Sequence, residues 1–82
     1  MKDKIHYIRE QFPDETHTID LLMAEDSEFL VICEDHDACV DAVKYWAKSK
    51  APEAKTRVHE YRTLVRELQE EITQILVVKE PR

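Results

Sequence analysis

Two apolar runs, each stepping alternately by four and three residues, decide most of what this chain can fold into. The first passes through Phe29, Cys33, His36, Val40, Val43 and Ala47, and Ile32, Cys39 and Trp46 widen it on one side. The second passes through Ala54, Val58, Tyr61, Val65, Leu68, Ile72 and Ile75, with Leu64 beside it. Such steps keep residues on one face of an α-helix, so each run predicts an amphipathic helix with an apolar seam. Two seams of matching length suit two helices packed along each other.

Between the runs lies "AKSKAPE". Pro52 cannot continue a preceding helix, biases Ala51 away from helical angles and suits the first turn of a new one, so the chain is expected to reverse there. A connection this short fits an antiparallel helical hairpin. Asp26 is a suitable N-cap for the first helix, with Glu28 in its first turn, and Lys44, Lys48 and Lys50 sit near its end, where the helix dipole favours cations. Upstream, Pro13, two acids and then Ile19, Leu22 and Met23 predict a separate short helix. The segments "FLVI" (29–32) and "ILVV" (75–78) are apolar on every side. They meet at the open end of the hairpin, and the short helix is expected to fold over them.

The expected fold is therefore all-α: an antiparallel, coiled-coil-like helical hairpin with a short additional N-terminal helix, in one domain over residues 1–82. Its parts are an N-terminal arm (1–12), a short helix (13–25), hairpin helices over 27–48 and 52–77, and a tail (78–82). A chain of 82 residues builds a core of only marginal size, so a protein partner or self-association, as a dimer or higher oligomer, is expected to contribute.

Composition excludes several function classes. The chain has no glycine, which removes Gly-rich phosphate loops and dinucleotide fingerprints. No stretch approaches the roughly 18 apolar residues of a membrane span, and the N-terminus lacks a long apolar core, so a cytoplasmic protein that does not enter the membrane is expected. Two cysteines make no disulfide framework. On one helix, six residues carry them about 9 Å apart along the axis, beyond bridging distance.

The net charge of −6 is segregated. Residues 14–43 hold ten acids and no lysine or arginine, whereas residues 44–66 hold seven bases against Glu53 and Glu60. The basic turn region (Lys44, Lys48, Lys50, Lys55, Arg57, Arg62, Arg66), interleaved with Tyr45, Trp46 and Tyr61, raises a nucleic-acid reading. Overall acidity and the lack of a recognised binding motif argue against it. The preferred reading is that these bases complement acids, either within the chain or on another copy.

"ICEDHDAC" spaces Cys33, His36 and Cys39 three apart and raises the question of a metal. On a continuous helix, successive members differ by about 60° and the cysteines by about 120°, so three ligands do not converge on one point. Leu64, Val65 and Leu68, expected to face them, supply none. Both cysteines are read as small hydrophobes of the seam, with Glu34, Asp35, Asp37 and Asp41 on the wet side of the helix. No metal site, cofactor site or catalytic residue is expected. The acid pairs Asp35 with Asp37 and Glu70 with Glu71 should point outward, no Glu-x-x-His is present, and no serine or cysteine has a visible base partner.

His36 takes a seam position where an aliphatic residue is expected. A polar residue there can fix register or oligomeric state, and an imidazole can make that choice depend on pH; on this reading His36→Leu should raise stability. Trp46, with Tyr45 and Leu64, is the candidate contact surface, since Trp and Tyr frequently anchor interfaces. The function expected is thus a non-catalytic protein–protein interaction or self-assembly module. The alternative is a metal- or pH-sensing protein using His36 with Cys33 and Cys39.

Phe12 and Pro13, Asp26 and Ser27, Phe29, His36 and the "LQEEI" segment from Leu68 to Ile72 resemble the YdcH-like family of small bacterial helical-hairpin proteins, a domain of unknown function. The resemblance covers residues 12–76. It implies a helical hairpin in a bacterial cytosolic setting, and it implies no activity.

Overall fold

The structure is a computed structural model that describes residues 6–79, and every regular element among them is helical. Helix α1 (His6–Gln11) leads through a 3₁₀ turn (Pro13–Glu15) into α2 (Thr16–Glu25), followed by α3 (Ser27–Ala47) and α4 (Ala54–Lys79). The two long helices pack against each other as a hairpin. Residues 1–5 and 80–82, parts of the expected arm and tail, lie outside the described residues.

Local chemistry sets the boundaries. Asp26 is the joint between α2 and α3. Its backbone N–H donates to the Leu22 carbonyl at 2.7 Å, and its carboxylate accepts from the N–H groups of Glu28 (3.0 Å) and Phe29 (3.3 Å). One residue thus ends a helix in extended geometry and caps the next. At the other end of α3, Lys48 and Ser49 donate to the Tyr45 and Trp46 carbonyls, and the Ser49 hydroxyl accepts from Ala51 N–H at 3.1 Å. Pro52 falls in the turn and α4 starts two residues later, at Ala54, slightly beyond the expected 52.

The N-terminal stretch departs from expectation. The arm foreseen over residues 1–12 is helical from His6 to Gln11, and α1 packs on α3 with Ile8 fully buried. The six-residue helix was hidden because its apolar content is one fully buried side chain, too little to register as a period. The tail also departs from it, because Val78 and Lys79 continue α4.

The core sits at the open end of the hairpin. Ile8, Ile19, Leu22, Phe29, Cys33, Ile72 and Leu76 form one buried cluster, with Phe12, Met23, Ile32 and Ile75 packed around it. Helices α1 and α2 supply Ile8, Ile19 and Leu22 as a second layer over α3 and α4, where the segments 29–32 and 75–78 meet. Coverage is one-sided, since Val31, Val77 and Val78 stay exposed.

The half of the hairpin nearer the turn has no such layer. In α3 no residue after Asp37 is fully buried, and in α4 none between Ala54 and Ile72 is. Two helices touching along one line leave each seam residue open on its flanks, so Val40, Val43, Val58 and Val65 are only half-buried. No helix among the described residues is long and apolar enough to cross a membrane.

Candidate functional site

Two features stand out from the packing: a buried polar chain on one flank of the hairpin and an acid-rimmed apolar groove on the other.

The polar chain starts at His36, which is 1% exposed in the α3 seam. Its Nδ1 lies 3.0 Å from Asp37 Oδ1, and its Nε2 lies 3.1 Å from Gln69 Nε2 on α4. A carboxylate only accepts, so Nδ1 carries the proton and donates to Asp37, leaving Nε2 to accept from the Gln69 amide. Asp37 Oδ2 in turn accepts the backbone N–H of Tyr7 at 2.8 Å. That N–H belongs to α1. One imidazole and one carboxylate thereby tie α4, α3 and α1 together.

The chain continues at the surface. The Tyr7 hydroxyl donates to Asp41 Oδ1 at 2.9 Å and accepts from Lys44 Nζ at 3.1 Å, and the ammonium also sits 4.4 Å from the Tyr7 ring centroid. Hydrogen bonding to Tyr7 is the main influence raising the Lys44 ammonium above its ordinary value. Arg9 pairs with Asp20 at 2.7 Å, joining α1 to α2. No buried side-chain nitrogen or oxygen among the described residues lacks a partner.

Asp37 therefore corrects the sequence-based expectation, which put it with Glu34, Asp35 and Asp41 on the wet side. It is 4% exposed because α1, unforeseen, covers that flank. Gln69 likewise meets His36, where only aliphatic side chains were expected. A short polar helix docking on an acidic flank leaves no periodic signal. The one available clue was a histidine in the seam, which needs partners on both ring nitrogens when buried.

The thiols behave as small apolar groups. Cys33 is fully buried and Cys39 half-buried. Burial, reinforced by the charges of Asp37 and Glu34, pushes the Cys33 thiol up from 9.0 to about 12. Cys39 is also raised, by burial and then by Asp35. A thiol held protonated is a poor metal ligand and a poor nucleophile. Among the described residues no group of three or more His, Cys, Asp and Glu side chains is placed to hold a metal ion.

The groove lies on the other side of the α3–α4 contact. Ala38, Cys39 and Ala42 from α3 and Tyr61, Leu64 and Leu68 from α4 form its floor and walls, Asp35, Glu67 and Glu71 rim it, and its volume is ≈ 460 Å³. At about 100° per residue, Asp35, Ala38 and Ala42 fall on the flank of α3 away from Asp37, Asp41 and Lys44. The rim acids also differ from those that α1 engages. Among the described residues Asp35, Glu67 and Glu71 have neither a hydrogen bond nor an ion pair.

The three residues expected to form a contact surface are divided by the structure. Leu64, 43% exposed, lines the groove. Tyr45 is 68% exposed and Trp46 half-buried, and their rings meet edge to face at 5.2 Å. They stand one helical turn beyond Ala42 and outside the groove lining. Tyr61, Leu68, Ala38 and Ala42 were not foreseen as lining a groove, because their positions in a heptad pattern read as seam or as neutral surface.

Comparisons with protein-family models, with curated proteins and with solved structures find no match for this chain.

Proposed function

We propose that the protein is a non-catalytic interaction module whose contact surface is the acid-rimmed groove between α3 and α4, continued by Tyr45 and Trp46. The observation that carries this reading is the contrast between the two flanks. On one, α1 seats against α3, and Asp37 and Asp41 are hydrogen-bonded to it; on the other, an apolar floor of Ala38, Ala42, Leu64 and Leu68 lies open under three acids that have no hydrogen bond or ion pair among the described residues. An exposed apolar patch with a polar rim is the common anatomy of a protein contact site. It coincides with the half of the hairpin that lacks a second layer.

The buried polar chain supports a structural role for His36. Both ring nitrogens are engaged inside the fold, and His36 is not among the residues that line the groove. A metal-sensing role for His36 with Cys33 and Cys39 finds no support in that arrangement. Kinship with the YdcH-like family is retained as a proposal about ancestry alone.

A photo-crosslinking residue placed at Leu64, with Thr73 on another flank of α4 as control, tests the reading in cells that make the protein. The expected outcome is a protein adduct from position 64 in excess over position 73. Equal labelling from both positions, or none from 64, would sink it.

A further inference from the structure

Resting on that reading, we infer that the occupant of the groove is a second copy of this chain, packed face to face with the two hairpins antiparallel and centred on Ala42 and Leu64. Helical hairpins commonly complete their cores by pairing into four-helix bundles, and closed twofold dimers are the commonest homo-oligomers. On this face the register of charges and side-chain sizes suits one such pairing.

A twofold relation that packs these faces together has two forms. In one, both turns lie at the same end; in the other, they lie at opposite ends. The first superimposes two turn regions that each carry a strong local positive charge, and it stacks the rim acids of one copy near those of the other. The second lays the acidic part of each groove over the basic turn of its neighbour, so charge selects it.

His36 meets Gln69 within one hairpin, so Ala42 and Leu64 lie about level. With the twofold axis there, Leu64 meets Leu64 and Ala42 meets Ala42 of the second copy, so small residues allow the two α3 helices a close approach. Glu71 falls opposite Arg57, which also pairs with Glu60 of its own helix at 2.9 Å, Glu67 falls opposite Tyr61, and Asp35 falls opposite the end of α3, where Lys48, Ser49 and Lys50 follow. Each of the three unpartnered rim acids thus gains a cation or a hydroxyl. Trp46 falls opposite Ala38, a large ring over a small exposed residue. The overlap spans the half-buried stretch of the seam, so the second copy supplies there the layer that α1 and α2 supply at the open end.

Sedimentation equilibrium of the full chain, combined with a charge-swap cycle at two exposed positions, tests this. The wild type is expected to be a dimer at micromolar concentration. Glu71→Arg and Arg57→Glu should each weaken it about tenfold, and the double variant should recover most of that loss. Ala38→Glu, which puts an acid opposite Trp46, should weaken it by more, with helicity by circular dichroism unchanged. A monomeric wild type at high micromolar concentration overturns the inference. So does a dimer whose strength the single swaps leave unchanged or the double swap fails to restore. A monomer that still yields adducts with a different protein from position 64 would remove the second copy as occupant and leave the groove as a contact surface. Absence of any adduct would instead remove the contact surface itself.

Discussion

His36 Nδ1 lies 3.0 Å from Asp37 Oδ1, and the two side chains are only 1% and 6% exposed. An adjacent histidine and aspartate buried together on one helix have no reason to be there for helix formation, since neighbouring side chains diverge by about 100° around the axis. They are there because two other helices reach them. Gln69 comes from α4 to the far ring nitrogen and Tyr7 N–H comes from α1 to the far carboxylate oxygen.

This network reverses the expected effect of replacing the histidine. Leucine would fill the seam but leave the half-buried Gln69 amide and one buried Asp37 oxygen without their partner. His36→Leu is therefore expected to lower stability by about 1–3 kcal/mol, measured by urea unfolding. A variant equal to or more stable than the wild type would show that the polar chain contributes nothing net.

Asp37→Ala removes the acceptor for both the imidazole and the Tyr7 N–H. The expected loss is about 2–3 kcal/mol, with the weakening concentrated in α1. Hydrogen exchange should show Tyr7 to Gln11 losing protection far more than the centre of α4. Uniform loss across the chain would mean that Asp37 does not clasp α1.

Ile8 makes a separate case that α1 belongs to the fold. Its side chain is fully buried in the cluster with Phe29 and Ile72. Truncation there leaves a cavity, so Ile8→Ala should cost about 2–5 kcal/mol, against a few tenths for a change at exposed Gln11. Equal costs at the two positions would place α1 outside the cooperative unit.

What the sequence disclosed and what it concealed divide along physical lines. The hairpin was legible because Phe29, Cys33, Ile72 and their neighbours recur at helical spacing, and Asp26 and Pro52 carry explicit end signals. Helix α1 was not, because its docking rests on Ile8 and on the backbone N–H of Tyr7, which no side-chain pattern reveals. Asp37 was misplaced for the same reason, since an acid beside a seam reads as wet until something covers it. The groove was half legible: Leu64 marked it, but its acids could not be seen as unpartnered before the intramolecular partners of Asp37 and Asp41 were known. Trp46 is read as a contact residue from its type alone, and it lies outside the groove lining.

The two thiols offer a prediction with a defined sign. Cys33 is held up at about 12 by burial, with Asp37 and Glu34 adding to the effect, whereas its ordinary value is 9.0. Above pH 9 the unfolded chain gives up this proton while the folded one keeps it, so ionisation favours unfolding. The contribution of the protonated thiol is complete below pH 9 and declines as pH rises from there towards 12. The stability difference between wild type and Cys33→Ala, taken from urea midpoints at a series of alkaline pH values, should therefore narrow as pH passes 9. Near neutral pH, half-buried Cys39 should react with a maleimide well before Cys33, whose labelling should wait for global unfolding. A stability gap that stays constant with pH, or a Cys33 that labels as fast as Cys39 in the native protein, would contradict the placement of Cys33 beneath α1 and α2.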